Sequence, residues 1–129
     1  MTSPESPLRL SHIGQIAVRA KDLTRAVAFY RDVLGMPFLF EAPPRLAFFD
    51  CDGVRLMLDI PDAEFDHPSS ILYFTVADLD GAFQSLQDRG VRFRSRPQLI
   101  ARMENHDLWM AFFLDSEGNT LALMSEVSR

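Results

Sequence analysis

The sequence predicts an α+β protein made of two similar halves, each with the order strand, helix and three strands. The first observation is a repeated segment, in which an apolar strand leads to Asp22-Leu23 in one copy and to Asp78-Leu79 in the other. An Asp at this position can accept hydrogen bonds from the free N–H groups of a helix start. The second observation is a glycine after each helix, because glycine adopts the left-handed conformation that ends helices. The duplication predicts two equivalent βαβββ halves with a binding site where they meet.

Composition and charge favour a single soluble globular domain. The 129 residues are 47% hydrophobic and 24% charged, and no apolar run approaches the ~20 residues of a membrane span. A net charge of -5 with scattered Lys and Arg disfavours nucleic acid as a partner. Residues 1–11 are predicted to be a flexible lead-in without the features of a signal peptide, which together with a single Cys favours a cytoplasmic location. We expect one domain over 12–129, with halves at about 12–66 and 67–127.

In the first half, alternation of apolar and polar residues predicts a strand over residues 13–19. Helical spacing of apolar residues then predicts a helix that starts after Asp22 and ends at Leu34-Gly35. Three strands are predicted at residues 36–41, 45–50 and 54–60. Pro43-Pro44 and the segment Asp50-Cys51-Asp52-Gly53 supply the turns between them.

The second half repeats this order after a polar crossing loop at residues 61–69. A strand is predicted at 70–76 and a helix at 79–89, followed by a strand at 91–94 and an irregular stretch to residue 107. Strands at 108–114 and 120–126 flank a turn at 115–119. Arg92, Arg94 and Arg96 alternate and are expected on the solvated face of an edge strand.

The segments AVAFYRDVLG and AFFLDSEGNTLALM, together with the two Asp-Leu helix starts, resemble the vicinal oxygen chelate superfamily. This superfamily includes glyoxalase I, bleomycin-resistance proteins, extradiol dioxygenases and related epimerases. The resemblance covers residues 13–126 and implies two βαβββ modules that form a cupped mixed sheet with helices on the outer face. It further implies a central divalent metal in many members and paired subunits, so that a homodimer is expected.

The resemblance places the four metal-ligand positions of the family on Gln15, Met57, Ile71 and Ala122. Gln15 lies seven residues before Asp22 and matches a residue type that similar glyoxalases use. The other three positions, where the family usually has Glu, His and Glu, carry a thioether, a branched hydrocarbon and a methyl group. A hard divalent cation needs anionic or imidazole ligands at roughly 2.0–2.5 Å. We therefore predict that the usual metal and any other cofactor are absent, with a divalent metal at a divergent site as the alternative.

Without a metal, the floor of the cup is expected to be apolar and to suit a small, partly apolar organic molecule. Because side chains on a strand alternate between faces, about half of the strand aromatics must face the helices instead. The predicted ligand-binding residues are Gln15, Met57, Ile71, Tyr73, Trp109, Ala122 and Met124.

Three side chains are candidates for acid–base catalysis. His106 lies beside Asp107 and close to Trp109, the only tryptophan, so that a proton-transferring imidazole and a stacking ring could act together. The alternative is a solvated loop histidine beside a core tryptophan. His67, in the loop between the halves, either overhangs the mouth of the cup or is an ordinary loop residue. Glu126 shares strand parity with Ala122 and either replaces the lost glutamate or marks a strand end.

Two classes of function remain open from the sequence. The first is a binding protein whose cavity holds an organic ligand. The second is a lyase, isomerase or dioxygenase that uses His106, His67 or Glu126, or a divergent metal site that includes Gln15. His12, three residues before Gln15, is expected at the surface on the opposite face of the first strand.

Overall fold

The computed structural model describes residues 8–128, which form two four-stranded sheets and two helices. Helix α1 (Leu23–Ala28) continues as one turn of π-helix (Phe29–Val33), and helix α2 spans Leu79–Asp88. The strands are β1 (Gln15–Arg19), β2 (Phe38–Ala42), β3 (Leu46–Cys51), β4 (Val54–Asp59), β5 (Leu72–Thr75), β6 (Gln98–Arg102), β7 (His106–Leu114) and β8 (Thr120–Ser128).

The two sheets have the same topology. Their strand orders are β1-β4-β3-β2 and β5-β8-β7-β6. In each sheet the first strand pairs in parallel with the last strand of its half, and the remaining pairs are antiparallel. The predicted α+β architecture of two βαβββ modules is therefore confirmed.

The helix starts and ends follow the sequence signals. The Oδ1 atom of Asp22 accepts a hydrogen bond from the N–H of Arg25 at 3.1 Å, and Asp78 does the same for the N–H of Gly81 at 3.0 Å. Each capping bond satisfies an N–H group that has no partner within its helix. Gly35, after the first helical segment, has φ of 73°, a value that side chains disfavour.

The hairpin between β3 and β4 also has its predicted turn. Asp52 and Gly53 both have positive φ, 50° and 90°. This is the pattern of a type I′ turn, whose twist matches that of the paired strands. The turn fixes the register of β3 against β4, and with it the face on which each β4 side chain lies.

A single apolar core joins the two halves on the helix side of the sheets. Tyr30, Phe49 and Phe113 are fully buried in it. Burying an aromatic side chain of this size stabilises the fold by about 2–3 kcal/mol relative to an exposed one. Because this core includes side chains of both sheets and both helices, it holds the modules together as one unit.

The second half departs from prediction after its helix. The strand predicted at 91–94 is reduced to one bridge between Phe93 and Phe113, so the arginine row does not lie on a regular edge strand. Strand β6 instead lies in the stretch predicted to be irregular, and a register shift between Leu99 and Ala101 interrupts its alternation. A bulge of this kind removes the period-2 signal on which strand prediction depends.

The predicted lead-in falls largely on residues 1–7, which lie outside the described residues. Residues 8–11 are exposed and have no regular secondary structure. Among residues 8–128, no helix is both long and apolar enough to cross a bilayer.

Candidate ligand-binding site

Each sheet has one face packed on the core and one face turned away from it, which we call the open face. On β1, Val18 packs into the core and its neighbour Ala17 is exposed. On β8, Leu123 packs into the core, so Ala122 lies on the open face by alternation. The open faces carry Gln15 and Met57 in the first sheet and Tyr73, Phe112, Ala122 and Met124 in the second.

The strand registers show which positions of the two halves are equivalent. Ile16 pairs with Leu56 in the first sheet, and Leu72 pairs with Leu121 in the second. The four positions assigned from the family pattern adjoin these pairs. Gln15 and Ile71 each lie one residue before the first member of a pair, and Met57 and Ala122 each lie one residue after the second member. By this symmetry Gln15 is equivalent to Ile71, and Met57 is equivalent to Ala122. The four assigned positions therefore obey the internal symmetry of the fold.

In the first sheet, the amide of Gln15 is held by its neighbours. Its Oε1 atom accepts a hydrogen bond from Arg55 Nε at 2.9 Å, and its Nε2 atom lies 3.6 Å from Met57 Sδ. The guanidinium carbon of Arg55 also lies 5.1 Å from the centre of the Phe48 ring, within cation–π range. The amide oxygen that would have to coordinate a metal thus already accepts a hydrogen bond from the positively charged guanidinium of Arg55.

This donor set does not fit a divalent metal. Ile71 and Ala122 have no donor atom, and the Met57 thioether is a soft, weak ligand. The nearby Arg55 charge would repel a cation placed on the Gln15 oxygen. Among residues 8–128, no three His, Cys, Asp or Glu side chains are grouped so that they could hold an ion.

In the second sheet, the same region is apolar and aromatic. Ala122 pairs with Tyr73 on one side and Phe112 on the other, and it is fully buried. The Tyr73 and Phe112 rings meet edge to face, with centroids 5.8 Å apart. Tyr73 remains 44% exposed, so a flat apolar surface with a phenol hydroxyl faces outward.

Two of the three catalytic candidates lie together on the open face of the second sheet. His106 pairs with Ser128, and Leu108 pairs with Glu126, which places His106 and Glu126 diagonally across β7 and β8. The Nε2 atom of His106 lies 2.5 Å from Oε2 of Glu126, while Nδ1 lies 2.9 Å from Asn105 Oδ1. Nε2 is enclosed, yet among the described residues no partner meets hydrogen-bond geometry with it. The imidazole and the Glu126 carboxylate are therefore close enough to act together, although their geometry is not that of a hydrogen bond.

The other two histidines lie elsewhere. His67 is in the crossing loop, where its Nδ1 atom lies 3.0 Å from the carbonyl oxygen of Pro68. It lines a hollow of only about 30 Å³ together with Ala17 and Arg19, which is too small for an organic ligand. His12 is exposed and precedes β1, so the parity expected from a continuous strand does not apply to it.

Trp109 does not share a face with His106. It has the parity of Ala111 and Phe113, which are buried in the core, and it packs partly against that core. The expectation that Trp109 lines the same cavity as His106 is therefore corrected. The signal was in the sequence, because residues three apart on a strand point to opposite faces.

The junction of the halves contains a buried polar cluster around residues 115–119, for which the sequence pattern indicates only a turn. The carboxylate of Glu117, whose side chain is fully buried, accepts hydrogen bonds from the N–H groups of Lys21 and Asp22 at 2.8 Å each. It also receives two bonds from Arg25, at 2.8 and 3.1 Å. Burial of the carboxyl raises its pKa, but the bonds from Arg25 and the backbone outweigh burial and lower the pKa to about 2.

The rest of this cluster is equally well satisfied. The hydroxyl of Tyr30 donates to Asp115 Oδ2 at 2.7 Å, and Asn119 Nδ2 donates to the carbonyl of Arg19 at 2.7 Å. Burial, followed by the charge of Asp115, raises the pKa of Tyr30 well above its usual value, so Tyr30 remains a donor. These bonds join the first helix and β1 to the turn before β8, and so fix the two open faces relative to each other.

The comparisons with known proteins agree with this architecture. A family model described as the Glyoxalase/Bleomycin resistance protein/Dioxygenase superfamily matches residues 12–126. The structure of lactoylglutathione lyase from Agrobacterium tumefaciens is similar with a TM-score of 0.72 and 24% identity, over 91% of this chain and 95% of that one. TnmS3, an antibiotic binding protein from Streptomyces sp. CB03234, gives a TM-score of 0.72 and 22% identity, over 93% and 99%. Likeness at these identities establishes the fold alone.

A curated relative matches a shorter segment. The metallothiol transferase FosB of Staphylococcus haemolyticus is 31% identical over 72 residues, which are 53% of this chain and 51% of that protein. The match thus spans about half the length of the relative. The family model, in contrast, spans both halves and all eight strands described above except the last two residues of β8. The chain therefore belongs to the glyoxalase/bleomycin resistance protein/dioxygenase superfamily.

Proposed function

We propose that this protein binds a small, partly apolar organic molecule on its open faces and does so without the divalent metal typical of the family. The observation that carries the proposal is the content of the four symmetry-related positions. They hold a neutral amide already bound to Arg55, a thioether, a branched hydrocarbon and a buried methyl group. These groups favour contact with hydrocarbon over contact with a cation.

The aromatic pair supplies the contact surface for this ligand. Tyr73 and Phe112 present one ring edge to the other, and Tyr73 is held beside the small Ala122. A flat ligand stacked on this pair would gain aromatic contact of about 0.5–1.5 kcal/mol beyond the burial of its area. The Gln15 amide and the Arg55 guanidinium of the first sheet provide polar atoms that orient a carbonyl or carboxylate group of the ligand.

Two copies of the chain are proposed to pair and cover these faces. Several apolar side chains of the described residues are 43–48% exposed in the single chain, among them Phe40, Ile71 and Tyr73. Exposed apolar groups that lie close together often mark an interface or a ligand site. Light scattering coupled to gel filtration should give twice the 14.7 kDa mass of the chain, and a mass of one chain would contradict pairing.

The test of ligand binding uses N-phenyl-1-naphthylamine, an uncharged aromatic molecule whose fluorescence rises in apolar surroundings. We expect saturable binding, weakened about tenfold in Tyr73→Ala because the ring contact and its buried area are lost. Phe65→Ala is the matched control, since Phe65 is also an exposed aromatic residue but lies in the crossing loop. If the probe does not saturate, or if Phe65→Ala weakens binding as much as Tyr73→Ala, the proposal is wrong.

The second candidate function is acid–base catalysis by His106 and Glu126. The 2.5 Å approach of the imidazole to the carboxylate favours it, because a carboxylate can orient a histidine and stabilise its protonated form. The protein should be incubated with lactoylglutathione, with His106→Gln and Glu126→Gln as variants. Turnover that both variants abolish would support catalysis, whereas no turnover, or turnover that survives both substitutions, would count against this pair as the catalytic site.

A further inference from the structure

A second hollow lies on the helix side of the second sheet, away from the open face. Its volume is about 320 Å³, at the lower end of the range of small-molecule sites. It lies where the chain enters helix α2, and β7, β8 and the segment before β6 form its other walls. Its lining includes Asp78, Asp80, Trp109 and Ser125.

Its location separates this hollow from the proposed ligand face. Trp109 and Ser125 are paired residues on neighbouring strands, and both have the parity of core residues. The open-face side chains Met110 and Met124 are their immediate neighbours on the two strands and point to the other side of the sheet. A ligand in this hollow would therefore be divided from the open face by the sheet itself.

Ser125 is a buried polar side chain without a partner. It is only 3% exposed, and its hydroxyl makes no hydrogen bond with any of residues 8–128. The Oγ atom keeps some accessible surface, as a group that faces a hollow does, so it can be reached as a hydrogen-bond partner. Because Ser125 lines the hollow, a bound molecule could supply the missing partner.

The charges around the hollow favour a cation. Asp78 and Asp80 bring two carboxylates to its lining, and no Lys, Arg or His side chain of residues 8–128 belongs to that lining. Asp78 is partly engaged, since its Oδ1 atom caps α2 through the N–H of Gly81. Asp80, in the first turn of α2, is exposed and is the better placed of the two to meet an incoming charge.

We propose that this hollow, defined by Trp109, Ser125 and Asp80, binds a small organic amine in its protonated form. The flat hydrocarbon part of the amine lies against Trp109, since aromatic rings pack favourably on the large indole surface. The ammonium group donates hydrogen bonds to the Ser125 hydroxyl oxygen and to the Asp80 carboxylate. Charge-assisted bonds of this kind are about twice as strong as neutral ones.

The sole tryptophan provides the readout. The intrinsic fluorescence of Trp109 is followed while benzylammonium chloride is added, with benzyl alcohol and sodium benzoate as neutral and anionic counterparts of the same size. We expect saturable quenching by benzylammonium, weaker binding of benzyl alcohol and no binding of benzoate. Asp80→Asn should weaken benzylammonium binding about threefold, because Asp80 is exposed, and Ser125→Ala should weaken it about fivefold.

Matched controls keep the result specific to the hollow. Asp88→Asn makes the same charge change at the other end of α2, and Tyr73→Ala alters only the open face. Both controls should leave benzylammonium affinity unchanged. The proposal is wrong if benzylammonium does not saturate, if benzoate binds equally well, or if Asp88→Asn weakens binding as much as Asp80→Asn. Loss of binding in Tyr73→Ala would instead place the amine on the open face and would also overturn it.

Discussion

The two halves of the molecule match on the side that builds the core and differ on the side that faces outward. The same strand register, the same Asp cap and the same glycine end occur in both modules. On the open face, the first half has an amide held by a guanidinium, and the second has an aromatic pair over a buried methyl group. Duplication thus constrains packing strongly and surface chemistry weakly, so fold likeness alone does not specify function.

The junction cluster is where we expect the largest effect of a single substitution. Glu117→Gln should lower the free energy of unfolding by about 3 kcal/mol, because it removes a buried charge from Arg25 and from two backbone N–H groups. Denaturant unfolding of both proteins gives this value. Glu41→Gln makes the same chemical change on exposed strand β2 and should stay within about 0.5 kcal/mol of the unmodified chain.

Acid should remove the contribution of Glu117 to stability. Its pKa is lowered from 4.5 in the free side chain to about 2, so its ionised form favours the folded state. That contribution is fully present above about pH 5 and is lost as the pH falls towards 2. The stability difference between the unmodified chain and Glu117→Gln should therefore shrink between about pH 5 and pH 3. A difference that stays constant over this interval would show that the Glu117 charge does not stabilise the junction.

The structural equivalence of the two halves can be tested at the Asp residues that cap the two helix N-termini. Asp22→Ala and Asp78→Ala should each cost about 1 kcal/mol of unfolding free energy, because each leaves one helix N–H without its acceptor. Thermal or denaturant unfolding of the two variants measures this. If one cap proves several times more costly than the other, the two helix starts are not energetically equivalent.

We expect the smallest loss of stability from a substitution in the polar cluster on the open face of the first sheet. Arg55→Leu removes the bond to Gln15 and the contact with the Phe48 ring, and the side chains of Arg55 and Gln15 are both exposed. The loss of unfolding free energy should be below about 1 kcal/mol. A much larger loss in denaturant unfolding would show that the polar cluster of the first sheet is a structural element.

The sequence predicted the features whose signals are local. The Asp caps, the glycine ends and the Asp52-Gly53 turn each depend on residues within one turn of chain. Strand β6 was not predicted, because its bulge interrupts the alternation of apolar and polar residues. The π-helical turn after α1 has no distinct sequence signal.

The contents of the candidate site were predictable only in part. The resemblance supplied the four positions on the open faces, and the strand registers show that they are symmetry-related. The partner of Gln15, Arg55, lies 40 residues away and was not identified, because pairing across β1 and β4 depends on register. Glu117 is more than 90 residues away in sequence from its partners at the junction, so no local sequence pattern indicates these contacts.

Metal content tests the central claim most directly. Protein purified without a metal-affinity tag is dialysed against zinc, manganese and nickel salts and analysed by mass spectrometry, beside a variant with Met57→Glu, Ile71→His and Ala122→Glu. Circular dichroism is used to check that the variant is folded. We expect the unmodified chain to retain no stoichiometric metal and the variant to gain one, because only the variant has anionic and imidazole ligands. One equivalent of metal in the unmodified chain, lost in Gln15→Ala, would contradict a metal-free ligand site.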